Sequence, residues 1–164
     1  QSNGIKISHN TIGNYLDALT ECYLFYKVKR FDIKGRQLLM TQEKYYTVDV
    51  GFKKFFLGDK ADFDLGHNLE NIVYLELIRR GNEVYIGKAN NTEIDFVVKT
   101  PKGDREYFQV AWTTREESTF EREIQPFELI KDYNKRTLLT MDVEPETSYK
   151  GIQKNNVIDW LLDK

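Results

Sequence analysis

Residues 83–112 read EVYIGKANNTEIDFVVKTPKGDREYFQVAW, and this stretch decides the fold. Glu83 to Gly87 is a first strand candidate. Glu93 to Val98 is a second: side chains alternate along a strand, which puts Ile94, Phe96 and Val98 on one face and Glu93, Asp95 and Val97 on the other. Arg105 to Trp112 is a third, with Phe108, Val110 and Trp112 facing one way and Tyr107, Gln109 and Ala111 the other. Asn90-Asn91 and Pro101-Lys102-Gly103-Asp104 supply turn chemistry between them. Three consecutive strands on short turns predict an antiparallel meander.

Working outward, Leu69, Ile72, Val73 and Leu77 recur at helical spacing, and Gly81 is a natural stop. Glu70 shares a face with Val73, Tyr74 and Leu77, where a carboxylate loses hydration and needs a partner. Downstream, Ser118 and Glu121 have capping-box spacing. Phe120, Ile124 and Phe127 then mark a helix running to about Tyr133, with Pro126 expected to kink or interrupt it. Arg136 to Met141 is a further strand, Asp142 to Ser148 an acidic loop containing proline, and Asn155-Asn156 precedes a last helix over Val157 to Leu162. This is an α/β (α+β) pattern with a helix-strand-strand-strand-helix-strand core.

The N-terminal part adds a helix and a ribbon. Ser8-His9-Asn10-Thr11 are N-cap types, followed by Ile12, Tyr15, Leu16 and Leu19 at i, i+3, i+4, i+7. Tyr23 to Phe31 and Lys44 to Val50 read as two strands, with a turn at Lys34-Gly35. Gly51 to Gly66 reads as turn and short helix around Phe52-Lys53-Lys54-Phe55-Phe56. The expected division is residues 1–50, helix plus β-ribbon, and residues 51–164, the α/β domain. Gln1-Ser2-Asn3 reads as a tag remnant or as the start of a piece cut from a longer protein.

The chain has 164 residues, 24 Lys plus Arg against 26 Asp plus Glu, and a formal net charge of −2, so it carries no global attraction for nucleic acid. The one basic cluster is Lys27, Lys29, Arg30, Lys34 and Arg36, set against Asp32 on the ribbon. It is the candidate nucleic-acid-binding surface; the alternative is a solvated strand face. The 40% apolar content excludes a disordered chain. One cysteine, Cys22, excludes a disulfide framework and a Cys-rich zinc site and fits the cytoplasm. No apolar run approaches the ~20 residues of a spanning helix, so no membrane partner is expected. There is no GxxxxGK[ST] phosphate loop, nucleophile elbow, HExxH or calcium loop. Asp49 reads as a turn or cap residue, His67 as a cap, Cys22 as a small core residue, and Trp112 and Trp160 as core or interface.

Glu70 on a helix, Asp95 on one strand and Gln109 on the next could converge at one sheet edge. Oxygen ligands so placed suit Mg²⁺, which would activate a water and offset phosphate charge, with Glu70 and Asp95 as the metal ligands. The ordered set Glu70, Glu93-Ile94-Asp95-Phe96-Val97 and Gln109-Val110-Ala111 resembles the PD-(D/E)XK nuclease core. More closely, the chain resembles the nuclease-like C-terminal domain of a family of prokaryotic AAA-type ATPases. The resembling stretches include Tyr46-Thr47-Val48-Asp49-Val50-Gly51, Gly66-His67-Asn68-Leu69-Glu70-Asn71 and Tyr149-Lys150-Gly151-Ile152. The resemblance implies a restriction-endonuclease-like fold and an ATPase domain as partner within the same parent chain. It also implies a winged-helix-like origin for residues 1–50, DNA or RNA as ligand, and Glu70, Asp95 and Gln109 as catalytic positions. The chain departs from the pattern where the family has acid-x-Lys. Gln109 offers an oxygen without charge, Ala111 cannot act as the lysine, and any replacement lysine must come from elsewhere. The expected function is a nucleic-acid-interacting module with weak or degenerate phosphodiesterase activity; the alternative is an inactive protein-interaction or regulatory domain of the ATPase.

Overall fold

A computed structural model describes residues 8–58, 64–143 and 147–163. Gln1-Ser2-Asn3, residues 59–63 of the stretch read as turn and short helix, and residues 144–146 of the acidic loop lie outside the described residues. The described elements are α1 (His9–Glu21), β1 (Phe25–Asp32), β2 (Gln37–Thr47), α2 (Val50–Leu57), α3 (Leu65–Arg79), β3 (Glu83–Ala89), β4 (Thr92–Lys99), β5 (Arg105–Ala111), α4 (Glu117–Glu128), β6 (Lys135–Thr140), β7 (Thr147–Tyr149), β8 (Ile152–Asn156) and α5 (Val157–Leu161).

The strands form one mixed sheet in the order β2-β1-β3-β4-β5-β6-β8-β7. The meander β3-β4-β5 is antiparallel, as the turns dictate. Helix α4 then crosses over, so β6 lies parallel to β5. The ribbon joins the same sheet through β1, parallel to β3. Helices cover both faces. α3 and α5 pack one cluster built on Leu69, Val73, Leu77, Phe96, Phe108 and Val157. α4 packs the other, built on Ile94, Val97, Tyr107, Ile124, Phe127 and Leu138.

The alternation expected along Glu93 to Val98 fails at its centre. Phe96 and Val98 join the α3 cluster, but Ile94 joins the α4 cluster with Val97. The cause is a register shift: Tyr85 pairs with Val97 and Gly87 with Ile94, so β4 holds one residue more than β3 across this interval. Such a bulge re-aims side chains. The surplus falls on Asp95 and Phe96.

Other differences follow local chemistry. β2 begins at Gln37, well before Lys44. Helix α4 is capped at Glu116 without a side-chain bond, so Ser118 lies inside it and the capping-box reading fails. The helix ends at Glu128, two residues past Pro126, and not near Tyr133. The hairpin β7–β8 replaces the end of the acidic loop and the approach to the last helix. It turns on Lys150 and Gly151, both with positive φ, as two-residue hairpin turns require. Asn156 caps α5, as its position before the helix predicts. Cys22 is exposed at the end of α1 and not a core residue. Trp112 is exposed, whereas Trp160 packs beneath the Arg80 guanidinium, 4.3 Å from its ring centre.

The bulge leaves no space opposite it. A Cβ on Gly87 would lie 2.8 Å from Val97 Cγ2 and 2.9 Å from Ile94 Cβ. Gly87→Ala is therefore expected to destabilise the fold by about 1–3 kcal/mol, read as a lower midpoint in urea denaturation.

Candidate functional site

The paired register of β4 and β5 stops at Phe96 and Phe108. Beyond it, side chains take over from main chain. Asp95 N–H donates to Gln109 Oε1 at 3.2 Å, and Val110 N–H donates to Asp95 Oδ2 at 2.8 Å. Two backbone N–H groups freed where the strands part are thus satisfied. Gln109 Nε2 also donates to Glu123 Oε2 of α4 at 3.0 Å.

Glu70 arrives from the opposite face. It is buried on α3, and its partner comes from the ribbon: Lys44 Nζ donates to Glu70 Oε1 at 2.6 Å, and the Tyr46 hydroxyl donates to the same oxygen. Lys44 and Tyr46 are two residues apart on β2 and therefore share a face. Lys44 Nζ also reaches Glu93 Oε1 at 3.2 Å, and Glu93 pairs in turn with Arg30. Tyr46 stacks on Tyr74 of α3 with ring centres 4.5 Å apart. Asn71, next to Glu70, accepts from Thr47 N–H at 2.9 Å and donates to Thr47 C=O at 3.0 Å. That amide clamp covers the end of an edge strand and fixes β2 against α3.

Lys44, Glu70, Asp95, Gln109 and Glu123 line one cleft of about 480 Å³ at this sheet end. Its electrostatics are those of acids in excess. Burial, and then the Glu70 charge, push the Asp95 carboxyl well above its ordinary value of 3.8. Burial pulls the Lys44 ammonium down, but Glu70, Asp95 and Glu93 outweigh it and hold its pKa above the ordinary value. Burial raises Glu93, and Arg30 and Lys44 reverse that, leaving it lowered. Lys44 and Tyr46 both contact Oε1 of Glu70, and Val110 contacts Oδ2 of Asp95. The other oxygen of each carboxylate has no hydrogen bond among the described residues. No group of three or more His, Cys, Asp or Glu is arranged to hold a metal among the described residues.

The predicted trio Glu70, Asp95 and Gln109 is therefore brought to one cleft, and the cations of the ribbon divide. Arg30 reaches the cleft through Glu93. Lys27 pairs with Asp17 and Glu43 instead. Lys29, Lys34 and Arg36 are exposed, the last two at the hairpin turn. Asp49 caps α2. His67 is not the cap of α3; Asp64 holds that position, and His67 Nδ1 lies 2.6 Å from its carboxylate.

Sequence reasoning missed Lys44, Glu123 and a second buried acid. Asp142 accepts from Thr113 Oγ1 at 2.6 Å and Thr114 N–H at 2.9 Å, and pairs with Lys154 at 3.1 Å. It ties the segment after β5, which walls the cleft, to the end of β6. Its pKa is pushed down: burial opposes this, and the threonine and lysine bonds prevail. Nothing in a stretch rich in acids marks one of them as buried.

Residues 2–62, which include α1, β1, β2 and α2, match the family described as Domain of unknown function (DUF8612). The chain is similar to an uncharacterized protein of Haemophilus influenzae, with 40% identity over 162 residues that cover 98% of this chain and 39% of that protein. It is also similar to the uncharacterized protein MJ1544 of Methanocaldococcus jannaschii, with 36% identity over 132 residues, 77% of this chain and 28% of that protein. The chain thus spans well under half the length of these relatives. No solved structure matches it. No helix among the described residues is long and apolar enough to cross a membrane.

The raised Asp95 pKa has a consequence for stability. Between the ordinary carboxylate value of 3.8 and the raised folded value, the native state binds more protons than the unfolded state. Stability therefore falls as pH rises through that window. Asp95→Asn keeps an acceptor for Val110 and removes the buried charge. At pH 7 this variant is expected to melt at a higher temperature than the unsubstituted protein. The gap should close as pH falls toward 3.8, read by thermal denaturation of both proteins across pH.

Proposed function

We propose that this chain is a nucleic-acid-interacting module with a PD-(D/E)XK-nuclease-like site that hydrolyses phosphodiesters weakly with a divalent cation. The observation that carries the reading is the Lys44 ammonium, 2.6 Å from Glu70 Oε1. It supplies from β2 the cation that Gln109-Val110-Ala111 lacks. A restriction-endonuclease-like core, and an AAA-type ATPase domain elsewhere in a longer cytoplasmic parent chain, belong to the same proposal. The greater length of the relatives leaves room for such a domain.

Two carboxylates, Glu70 and Asp95, line the cleft and would be the protein ligands of a hard dication there. Asp95 has no ion pair among the described residues and is destabilised by the Glu70 charge, so a cation between them relieves both. Mg²⁺ keeps several waters and needs few protein ligands. Glu70 and Asp95 would hold it, each having one carboxylate oxygen without a hydrogen bond among the described residues. When bound, such an ion supplies Lewis acidity and a water of lowered pKa. Lys44 would face the charge that develops on the phosphate, Gln109 would orient a water through its remaining amide N–H, and Glu93 with Arg30 holds Lys44 in place.

The test is cleavage of end-labelled DNA and RNA, single- and double-stranded, in Mg²⁺, Mn²⁺ or EDTA. Metal-dependent cleavage is expected, reduced about 100-fold or more by Asp95→Asn and by Lys44→Met. Activity unchanged in Asp95→Asn would overturn the catalytic assignment. Binding without cleavage in any metal would leave an inactive module, and neither binding nor cleavage would favour a regulatory protein-interaction domain.

A further inference from the structure

A second cleft, of about 550 Å³, adjoins the first. Leu24, Phe25, Tyr45, Phe52 and Phe56 give it an apolar, largely aromatic wall. Lys44 and His67 line both clefts, so the two border each other at these residues. Phe52 and Phe56 are 43% and 74% exposed and so are not spent on the core. Phe56 is steadied edge-on by Phe55, with ring centres 5.2 Å apart.

The polar groups of this wall are engaged within the protein. Asn71 is clamped to Thr47, Lys53 bonds Asp64 and Asn68, His67 pairs with Asp64, and Lys44 pairs with Glu70. An occupant is therefore held by stacking and apolar burial and not by hydrogen-bond readout. A flat, aromatic, sequence-tolerant wall beside a cation is how unpaired nucleobases are held. A double helix offers no such base without unstacking it.

We infer that the cleft walled by Phe52 and Phe56 is a subsite for one unpaired nucleobase, whose adjoining phosphate lies at Lys44. The inference rests on the nucleic-acid reading above and names its substrate class: single-stranded or frayed nucleic acid, without sequence preference. Cleavage is not needed to test it. In EDTA, titrate the protein into oligonucleotides carrying 2-aminopurine, as single-stranded DNA, single-stranded RNA and the DNA duplex, following fluorescence and anisotropy. Single strands are expected to bind more tightly than the duplex with a change in 2-aminopurine emission. Phe56→Ala and Phe52→Ala are each expected to weaken binding about 5- to 100-fold, the range for one base–aromatic stack. Phe56→Trp, which keeps a ring, should rescue it. The DNA and RNA arms separate the two sources of the same base. Equal binding of single and double strands, unmoved by the phenylalanine variants, would overturn this subsite and leave the nucleic-acid reading standing. No binding of any oligonucleotide, by protein whose circular dichroism is native, would overturn both.

Discussion

The parting of β4 from β5 after the Phe96–Phe108 pair is the constraint on which the site depends. Two antiparallel strands that separate leave donors and acceptors that must be met. Here the side chains of Asp95 and Gln109 each accept an N–H from the other strand. The geometry is possible only because β4 carries a surplus residue at this point, and Gly87 on β3 is what lets the bulge close. A gap in the sheet, not a loop above it, thus lets α3 present Glu70 from one face and α4 present Glu123 from the other.

The gap concentrates negative charge, and the rest of the network answers that. Among the described residues, Glu70, Glu93, Asp95 and Glu123 approach the cleft, and the Lys44 ammonium is shared between Glu70 and Glu93. Arg30 takes part of the charge of Glu93, and Arg122 that of Glu123 at 2.9 Å. Burial and the Glu70 charge raise the proton affinity of Asp95 more than the Val110 N–H and Lys44 lower it. A fold selected only for stability would place an asparagine there. Keeping an acid where ionisation opposes folding suits a position that receives a cation or a proton in use. The cost is contained because Asn71 and the Tyr46–Tyr74 stack hold β2 against α3 independently of the charges.

Much of this was legible in the residues. The meander followed from two turn sequences, and the burial of Glu70 from its helical neighbours. The convergence of Glu70, Asp95 and Gln109 followed from strand order. What escaped was whatever depended on register. The pattern Ile94, Phe96, Val98 looks like unbroken alternation, and no local residue signals that one position is doubled. Lys44 carries no motif; it matters because β2 folds back along β1, so that Lys44 pairs with Val28. β8 was unreadable for another reason: of Ile152-Gln153-Lys154-Asn155-Asn156 only Ile152 is buried, so the apolar period that reveals strands is missing. Cys22 misled because composition reports how often a residue type is buried, not where a helix ends.

The ribbon cations alter what near-neutral charge means. Lys27 and Arg30 are committed to Asp17, Glu43 and Glu93, so the cluster is weaker toward a polyanion than five positive residues suggest. Binding built on phosphate contacts alone would need many free cations, and each contact steepens the salt dependence. This surface can supply few. A chain so charged gains affinity for nucleic acid chiefly where an apolar wall adds to a single well-placed cation. The junction of the two clefts at Lys44 is such a place. On the proposed reading, a strand held by a stacked base would not be driven off by carboxylates that a bound cation and Lys44 would balance.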